Sequence, residues 1–214
     1  MSPEGVRALY PFLYAGDDQR EGLLADVTRS TVAKVEEIVR LRREVGELYA
    51  EELAACANEM AARFRQGGRL FTFGNGGSST DAQDVATVFL HPRAGVPLPA
   101  LALTSDIAVV TALSNDIGFD VVFARQLAAF AREGDMVLGL STSGGSANVV
   151  QAFEEAKRRG LYTVGLAGGD GGRLAGLDHL FLIPSSSVHR IQEAQTTVFH
   201  VLRELIQKGM EVRP

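Results

Sequence analysis

Cysteine is all but missing from this chain of 214 residues, where Cys56 stands alone. A single thiol forms no intrachain disulfide. That excludes a disulfide-stapled secreted scaffold and fits a reducing cytoplasm. Its alanine-rich helical surroundings make Cys56 a small buried hydrophobe. Positive charge is also short: 21 lysines and arginines face 26 aspartates and glutamates, a net charge of -5. The basic residues form no stripe, so no direct nucleic-acid groove is expected. An anionic ligand then has to be held by local backbone donors rather than by the global field. No apolar run approaches the ~20 residues of a membrane helix. No charged-then-apolar leader opens the sequence, so it reads as soluble, unexported and cytoplasmic. Internal repeats and low-complexity linkers are lacking too. With 46% hydrophobic residues, the composition suits one α/β domain with a helical appendage.

What is present is a change of texture along the chain. Residues 1–20 hold an apolar, aromatic stretch, "ALYPFLYAG", with Pro11 inside it, a poor helix interior. An exposed tail of this kind is expected to dock on the domain or on a partner. From Arg20 to Arg65 apolar residues recur at three- and four-residue intervals and stop at the C-cap pair Gly67-Gly68. One globular helix rarely needs that length. Two helices with a break near Arg43–Glu47 are expected, the exposed part packing on another copy. Beyond them, short apolar runs at 69–74, 98–104, 135–142, 162–168 and 179–184 alternate with helical patterns at 79–90, 107–114, 120–132, 146–159 and 188–209. Near-continuous apolar strands separated by helices predict a five-stranded parallel sheet covered on both faces, a three-layer αβα sandwich.

In such a sheet, ligands sit beyond the carboxyl ends of the strands. Two of those ends carry small polar turns, Gly74-Asn75-Gly76-Gly77-Ser78-Ser79 and Ser141-Thr142-Ser143-Gly144-Gly145-Ser146. Glycine lets the backbone approach a ligand closely. The helix that follows aims unpaired N–H groups and its positive dipole end at an anion. The hydroxyls of Ser141, Thr142, Ser143 and Ser146 add neutral donors, which suits a phosphate monoester. Serine and glycine are also ordinary N-cap residues, so either turn alone is equally well explained as strand–turn–helix chemistry. The density of STSGGS favours the phosphate. A dinucleotide fingerprint is disfavoured, because Ser79 stands where its third glycine belongs.

The stretches "GNGGSSTDAQ", "ALSNDIGFDVVFARQL", "GDMVLGLSTSGGSANVVQAFEEAKRRG", "GGDGGRLAGL" and "RIQEAQTTVFHVL" occur in the order and spacing of the phosphoheptose isomerases. The chain resembles that family, part of the SIS (sugar isomerase) domain superfamily, over about residues 45–209. The resemblance implies a flavodoxin-like SIS domain at 51–214 behind an N-terminal tail and helix at 1–50. It also implies a homotetramer with sites between subunits, and a ligand of the heptose 7-phosphate class. Ser141, Thr142, Ser143 and Ser146 would cradle the phosphate. Asn75, Gly76, Gly77, Ser78, Asn115, Asp116 and Gln192 would line the sugar. Family enzymes interconvert sedoheptulose 7-phosphate and an aldoheptose 7-phosphate, which takes a base for a carbon-bound proton and an acid for the oxygen. The family supplies a glutamate on the helix after GNGG and a histidine on the C-terminal helix. It often adds zinc, held by a histidine one turn before that glutamate, the glutamate itself, a glutamine and the C-terminal histidine.

Here the pattern is kept in part. Gln192 and His200 hold their places, on one ridge with Thr196. Asp84 stands where the resemblance implies the histidine ligand, and Val88 where it implies the glutamate. Val88 has no lone pair, so the zinc ligand set is incomplete. Neither stably bound zinc nor another cofactor is expected; Asp84, Gln192 and His200 are the residual metal candidates. His200 and Asp116 are the catalytic candidates. His91 shares the face of Asp84 and Val88 if the helix runs that far, although Pro92 draws it out of helical geometry. Glu193 is a further candidate base, with an ion pair to Arg190 as the alternative. His179 and His189 read as surface residues and Asp170 as a turn residue.

The missing glutamate favours a non-catalytic sugar-phosphate sensor or assembly protein, with the tail Leu9–Tyr14 as a protein contact. The alternative is an aldose–ketose isomerase acting on sedoheptulose 7-phosphate with a relocated base. Loss of a positioned base costs about 10²–10⁴ in rate.

Overall fold

The structure, a computed structural model, describes residues 17–211; the tail Leu9–Tyr14 lies outside the described residues. The chain divides into two compact units, residues 1–40 and 41–214. Helix α1 runs from Asp17 to Arg65 as one element, so the break expected near Arg43–Glu47 does not occur. Gly46 is the weak point of that stretch, but a lone glycine costs only about 1 kcal/mol against alanine. No proline stands there to remove an N–H. In the first unit, α1 exposes Leu23, Leu24, Val27, Val32 and Val35. In the second unit α1 ends as the glycine pair predicts. The Gly67 and Gly68 N–H groups donate to the carbonyls of Phe64 and Arg63 at 3.0 and 2.9 Å.

The second unit carries five strands: β1 Leu70–Gly74, β2 Ala100–Ala102, β3 Met136–Ser141, β4 Tyr162–Gly168 and β5 His179–Ile183. All pair in parallel, in the order β2-β1-β3-β4-β5. β1, β3 and β4 are buried along their whole length, as coverage on both faces demands. Only three residues of the run 98–104 pair, and Leu101 in this edge strand is exposed. The helices are α2 Gly77–Leu90, α3 Ile107–Asp116, α4 Val122–Phe130, α5 Ala147–Arg158 and α6 Val188–Glu211. The segment predicted as one helix over 120–132 begins with a tighter 3-10 turn, Phe119–Val121.

Phe71, Phe73 and Val137 meet Phe123, Leu127, Val149 and Phe153 of α4 and α5 on one face of the sheet. The Phe73 ring lies 5.5 Å from Phe123 and 5.2 Å from Phe153. On the other face, Phe64 stacks on Phe89 of α2 at 5.8 Å, and Tyr49 meets Phe181 of β5 edge-on at 5.4 Å. α6 packs beside α2 there. This is the predicted αβα sandwich. Cys56 is fully buried beside Met60, and burial pushes its thiol up to about 12. The winding reverses between β1 and β3: the chain steps from β1 to one side for β2, then to the other side for β3.

The loop ahead of β3 is tied to the start of β1 by Asp135, which is fully buried. Its carboxylate accepts from the Arg69 N–H at 2.8 Å, the Arg132 N–H at 2.9 Å and the Arg69 guanidinium at 2.7 Å. Two backbone donors and one guanidinium lose their acceptor together in Asp135→Ala. That variant is expected to lose about 3 kcal/mol of stability, read as a lower denaturant midpoint at unchanged slope.

Candidate functional site

Because β1 and β3 are neighbours, their carboxyl ends release the two polar turns side by side. After Gly74 the chain turns through Asn75 and Gly76 into α2. The Ser78 and Ser79 N–H groups donate to the carbonyls of Asn75 and Gly76 at 3.0 and 2.9 Å. Ser78 is buried beneath this turn. After Ser141 the chain turns into α5. Ser141 Oγ accepts from the Gly144 N–H at 3.1 Å and lies 3.5 Å from Ser146 Oγ. Ser143 Oγ accepts from the Gly145 N–H at 3.2 Å. Ser146 is the N-cap of α5 but makes no capping bond with its side chain, and the first N–H groups of a helix have no intrahelical partner. Ser143 is exposed, and Thr142 and Ser146 are half-buried.

Asn75 and Asn148 clasp the two turns together. Each side-chain amide donates to the other's oxygen, both at 2.8 Å. Sequence analysis does not single out Asn148. Its one signal is its place two residues after Ser146, in the first turn of α5 facing the neighbouring strand end.

The GGDGG loop braces the second turn from below. The Arg173 N–H donates to the Gly144 carbonyl at 3.0 Å, and the Gly168 N–H to the Thr142 carbonyl at 3.2 Å. Asp170 takes the turn role read from the sequence, its carboxylate accepting from the Gly172 N–H at 3.0 Å. Gly144 holds φ 63, and a Cβ there would come within 2.0 Å of the Gly171 carbonyl, so no other residue fits without moving the loop.

α2 and α6 complete the surroundings. A Cβ at Gly77 would lie 2.4 Å from Gln192 Nε2; the glutamine amide covers the first residue of α2. Farther along the same two helices, Asp84, Val88, His91, Arg93, His200 and Arg203 line a cleft of about 540 Å³. α2 ends at Leu90 with His91 as its C-cap at φ -127, ψ 65, the non-helical conformation expected before Pro92. His91 thus leaves the helix and still faces the cleft, and Val88 forms its wall between Asp84 and His91.

Other sequence candidates lie elsewhere. Asn115 and Asp116 are exposed at the end of α3, the Asn115 amide donating to the Asp116 carboxylate at 2.8 Å. Among the described residues, no hydrogen bond joins this pair to either turn. Glu193 is in an ion pair with Arg190, the structural alternative. His189 is exposed. His179 is a correction: it is the first residue of β5 rather than a surface residue ahead of it. It is half-buried, with its ring 5.9 Å from those of Tyr162 and Phe181.

Residues 35–168 match the family described as SIS domain. The phosphoheptose isomerase of a Roseiflexus species is 43% identical over 188 residues, covering 86% of this chain and 94% of that protein. The phosphoheptose isomerase of Geobacter metallireducens is 46% identical over 181 residues, 80% of this chain and 95% of that protein. This chain belongs to the phosphoheptose isomerase family of SIS-domain proteins. The solved phosphoheptose isomerase GmhA from Neisseria gonorrhoeae is 35% identical and superposes with a TM-score of 0.79 over 85% of this chain and 99% of that one.

The zinc that the family resemblance implies does not fit the residues present. Val88 places a hydrocarbon in the cleft wall beside Asp84 and His200. Among the described residues no group of three or more His, Cys, Asp or Glu side chains is placed to hold a metal ion. Helix α2 also holds a group that sequence analysis passes over. Asp81, one turn after Gly77, has a buried carboxylate oxygen without a hydrogen-bond partner. Burial, and then the nearby Asp84 carboxylate, pushes its pKa up to about 6. The ordinary value is 3.8, so the folded chain holds this proton more tightly than the unfolded chain. Stability therefore falls as pH rises between about 4 and 6, and the loss is complete above that window. Asp81→Asn is expected to gain melting temperature over the parent at pH 7.5 and to lose that advantage near pH 4. A difference that does not change with pH contradicts the assignment.

Proposed function

We propose that this chain holds a sugar phosphate of the heptose 7-phosphate class and interconverts its ketose and aldose forms. The phosphate is assigned to the Ser141–Ser146 turn, where hydroxyls and the first N–H groups of α5 converge at the positive end of the helix dipole. The sugar is assigned to Asn75, Gly76 and Gly77, under the Gln192 amide. Relatives that are phosphoheptose isomerases at 43 and 46% identity support the substrate class. One observation carries the catalytic reading: Asp84, His91 and His200 line the cleft around Val88. Side chains able to move protons thus surround the position where the resemblance implies a carboxylate.

The reaction removes a proton from the carbon beside the carbonyl, forms an enediol and returns the proton to the adjacent carbon. Meanwhile a proton passes from one oxygen to the other. The base is assigned to Asp84 or His91, and the proton exchange with the oxygens to His200. The base moves here from Asp116, whose carboxylate is held by Asn115. No step is routed through zinc, because position 88 lacks a lone pair. Purified protein is expected to carry far less than one metal ion per chain by elemental analysis. The exposed apolar residues Leu24, Val27 and Val35 of α1 suit the family's homotetramer.

Val88 itself favours a second reading, a sensor or assembly protein that binds the sugar without turnover. Incubation with sedoheptulose 7-phosphate followed by NMR separates the two. The isomerase reading expects turnover about 10²–10⁴ below that of an enzyme with its glutamate in place. His200→Ala should abolish it while binding persists. Binding without any turnover selects the sensor. Ser143→Glu should abolish binding under both readings; retained affinity overturns the phosphate assignment.

A further inference from the structure

We propose that the cleft beside Val88 is a second oxyanion site, in which Arg203 and Arg93 receive an acidic group at the end of the sugar remote from its first phosphate. This rests on the reading that the Ser141–Ser146 turn holds a sugar phosphate. The Arg203 side chain is only 17% exposed, and among the described residues its one ion pair is with Glu204 at 3.7 Å, too long for a hydrogen bond. Among the described residues it donates no hydrogen bond. Arg69 makes the contrast: 35% exposed, it places its guanidinium on the Asp135 carboxylate and the Phe130 carbonyl. A mostly buried arginine side chain with unused donors is costly, and its planar fork matches a carboxylate or phosphate in two-point contact.

Arg93 lines the same cleft and, among the described residues, has neither a hydrogen bond nor an ion pair. Two carboxylates also line it. Asp84 is exposed, and Glu204, 63% exposed, is free to swing into solvent when an anion takes its place on Arg203. Val88 adds no charge to the wall, so it leaves the two guanidinium groups facing a space that a carboxylate there would have made repulsive. A long helical side chain leans toward the N-terminus of its helix, so Arg203 on α6 leans toward His200, one turn back in the same cleft. The ligand class is a phosphorylated sugar with a second phosphate, against the alternative of free phosphate in the same cleft.

Calorimetry on the full chain with sedoheptulose 7-phosphate, sedoheptulose 1,7-bisphosphate and inorganic phosphate tests this. The bisphosphate is expected to bind about 10- to 100-fold tighter than the monophosphate, the range for a charge-assisted contact. Arg203→Gln and Arg93→Gln should erase most of that preference while leaving monophosphate affinity within about threefold. Arg93 is exposed, so Arg93→Gln carries the test if Arg203→Gln fails to fold. Suppose inorganic phosphate binds the chain already saturated with monophosphate, and not its Arg203→Gln variant. The oxyanion site then stands and its occupant is free phosphate. Equal affinity for mono- and bisphosphate, with no second phosphate bound, overturns the proposal. Ser143→Glu keeps the two assignments apart. If it leaves monophosphate binding intact, the Ser141–Ser146 reading fails, while the arginine dependence still decides the second site.

Discussion

Where Gly74 of β1 lies beside Leu140 of β3, two chain segments far apart in sequence leave the sheet at one place, and the candidate site is the consequence. Winding from β1 outward to β2 and then back past β1 to β3 opens a crevice at the carboxyl ends of the strands. In a strand order that separated β1 from β3, the serine-rich turn and the GNGG turn would not lie side by side. The Asn75–Asn148 clasp completes the arrangement. A pair of mutual amide hydrogen bonds in a half-buried setting satisfies four polar groups at once, and leaving one of them unpaired costs about 1–3 kcal/mol. The clasp therefore ties the two turns together at the strand ends.

Packing of α2 along α6 then divides the surroundings by chemistry. At the near end, the Gln192 amide lies over Gly77, a contact only a residue without a Cβ permits. Farther along the two helices, a cleft collects acids, bases and guanidinium groups around a hydrocarbon wall. Val88 has two effects there. It removes a lone pair on which metal binding and carboxylate chemistry would depend, and it lowers the negative charge of the space that Arg93 and Arg203 face. Asp81 shows the cost of placing acids on this helix. Partly buried beside Asp84, its carboxyl holds its proton to about pH 6.

Most of the fold was legible because its signals are local. Apolar runs of six to eight residues separated by amphipathic helices admit few arrangements other than a covered parallel sheet. The elements lie within a few residues of their predicted bounds. The glycine- and serine-rich turns were legible for the same reason, since a turn's chemistry is written in adjacent residues. Local signals failed where no residue compels a change. The length of the segment suggested a break in α1, yet a helix continues through the lone Gly46 when no proline interrupts it.

What the sequence by itself determined is the set of parts: the strands, the helices, the two phosphate-suited turns and the valine at position 88. Their composition and spacing are properties of neighbours along the chain. What only the tertiary structure decided is which parts meet. Asn148 became the partner of Asn75, and His91 came to face His200 after leaving its helix. Arg203 came to rest half-sheltered with its donors unspent. Such pairings depend on strand order and helix packing, which join residues dozens of positions apart, and no local pattern encodes that distance.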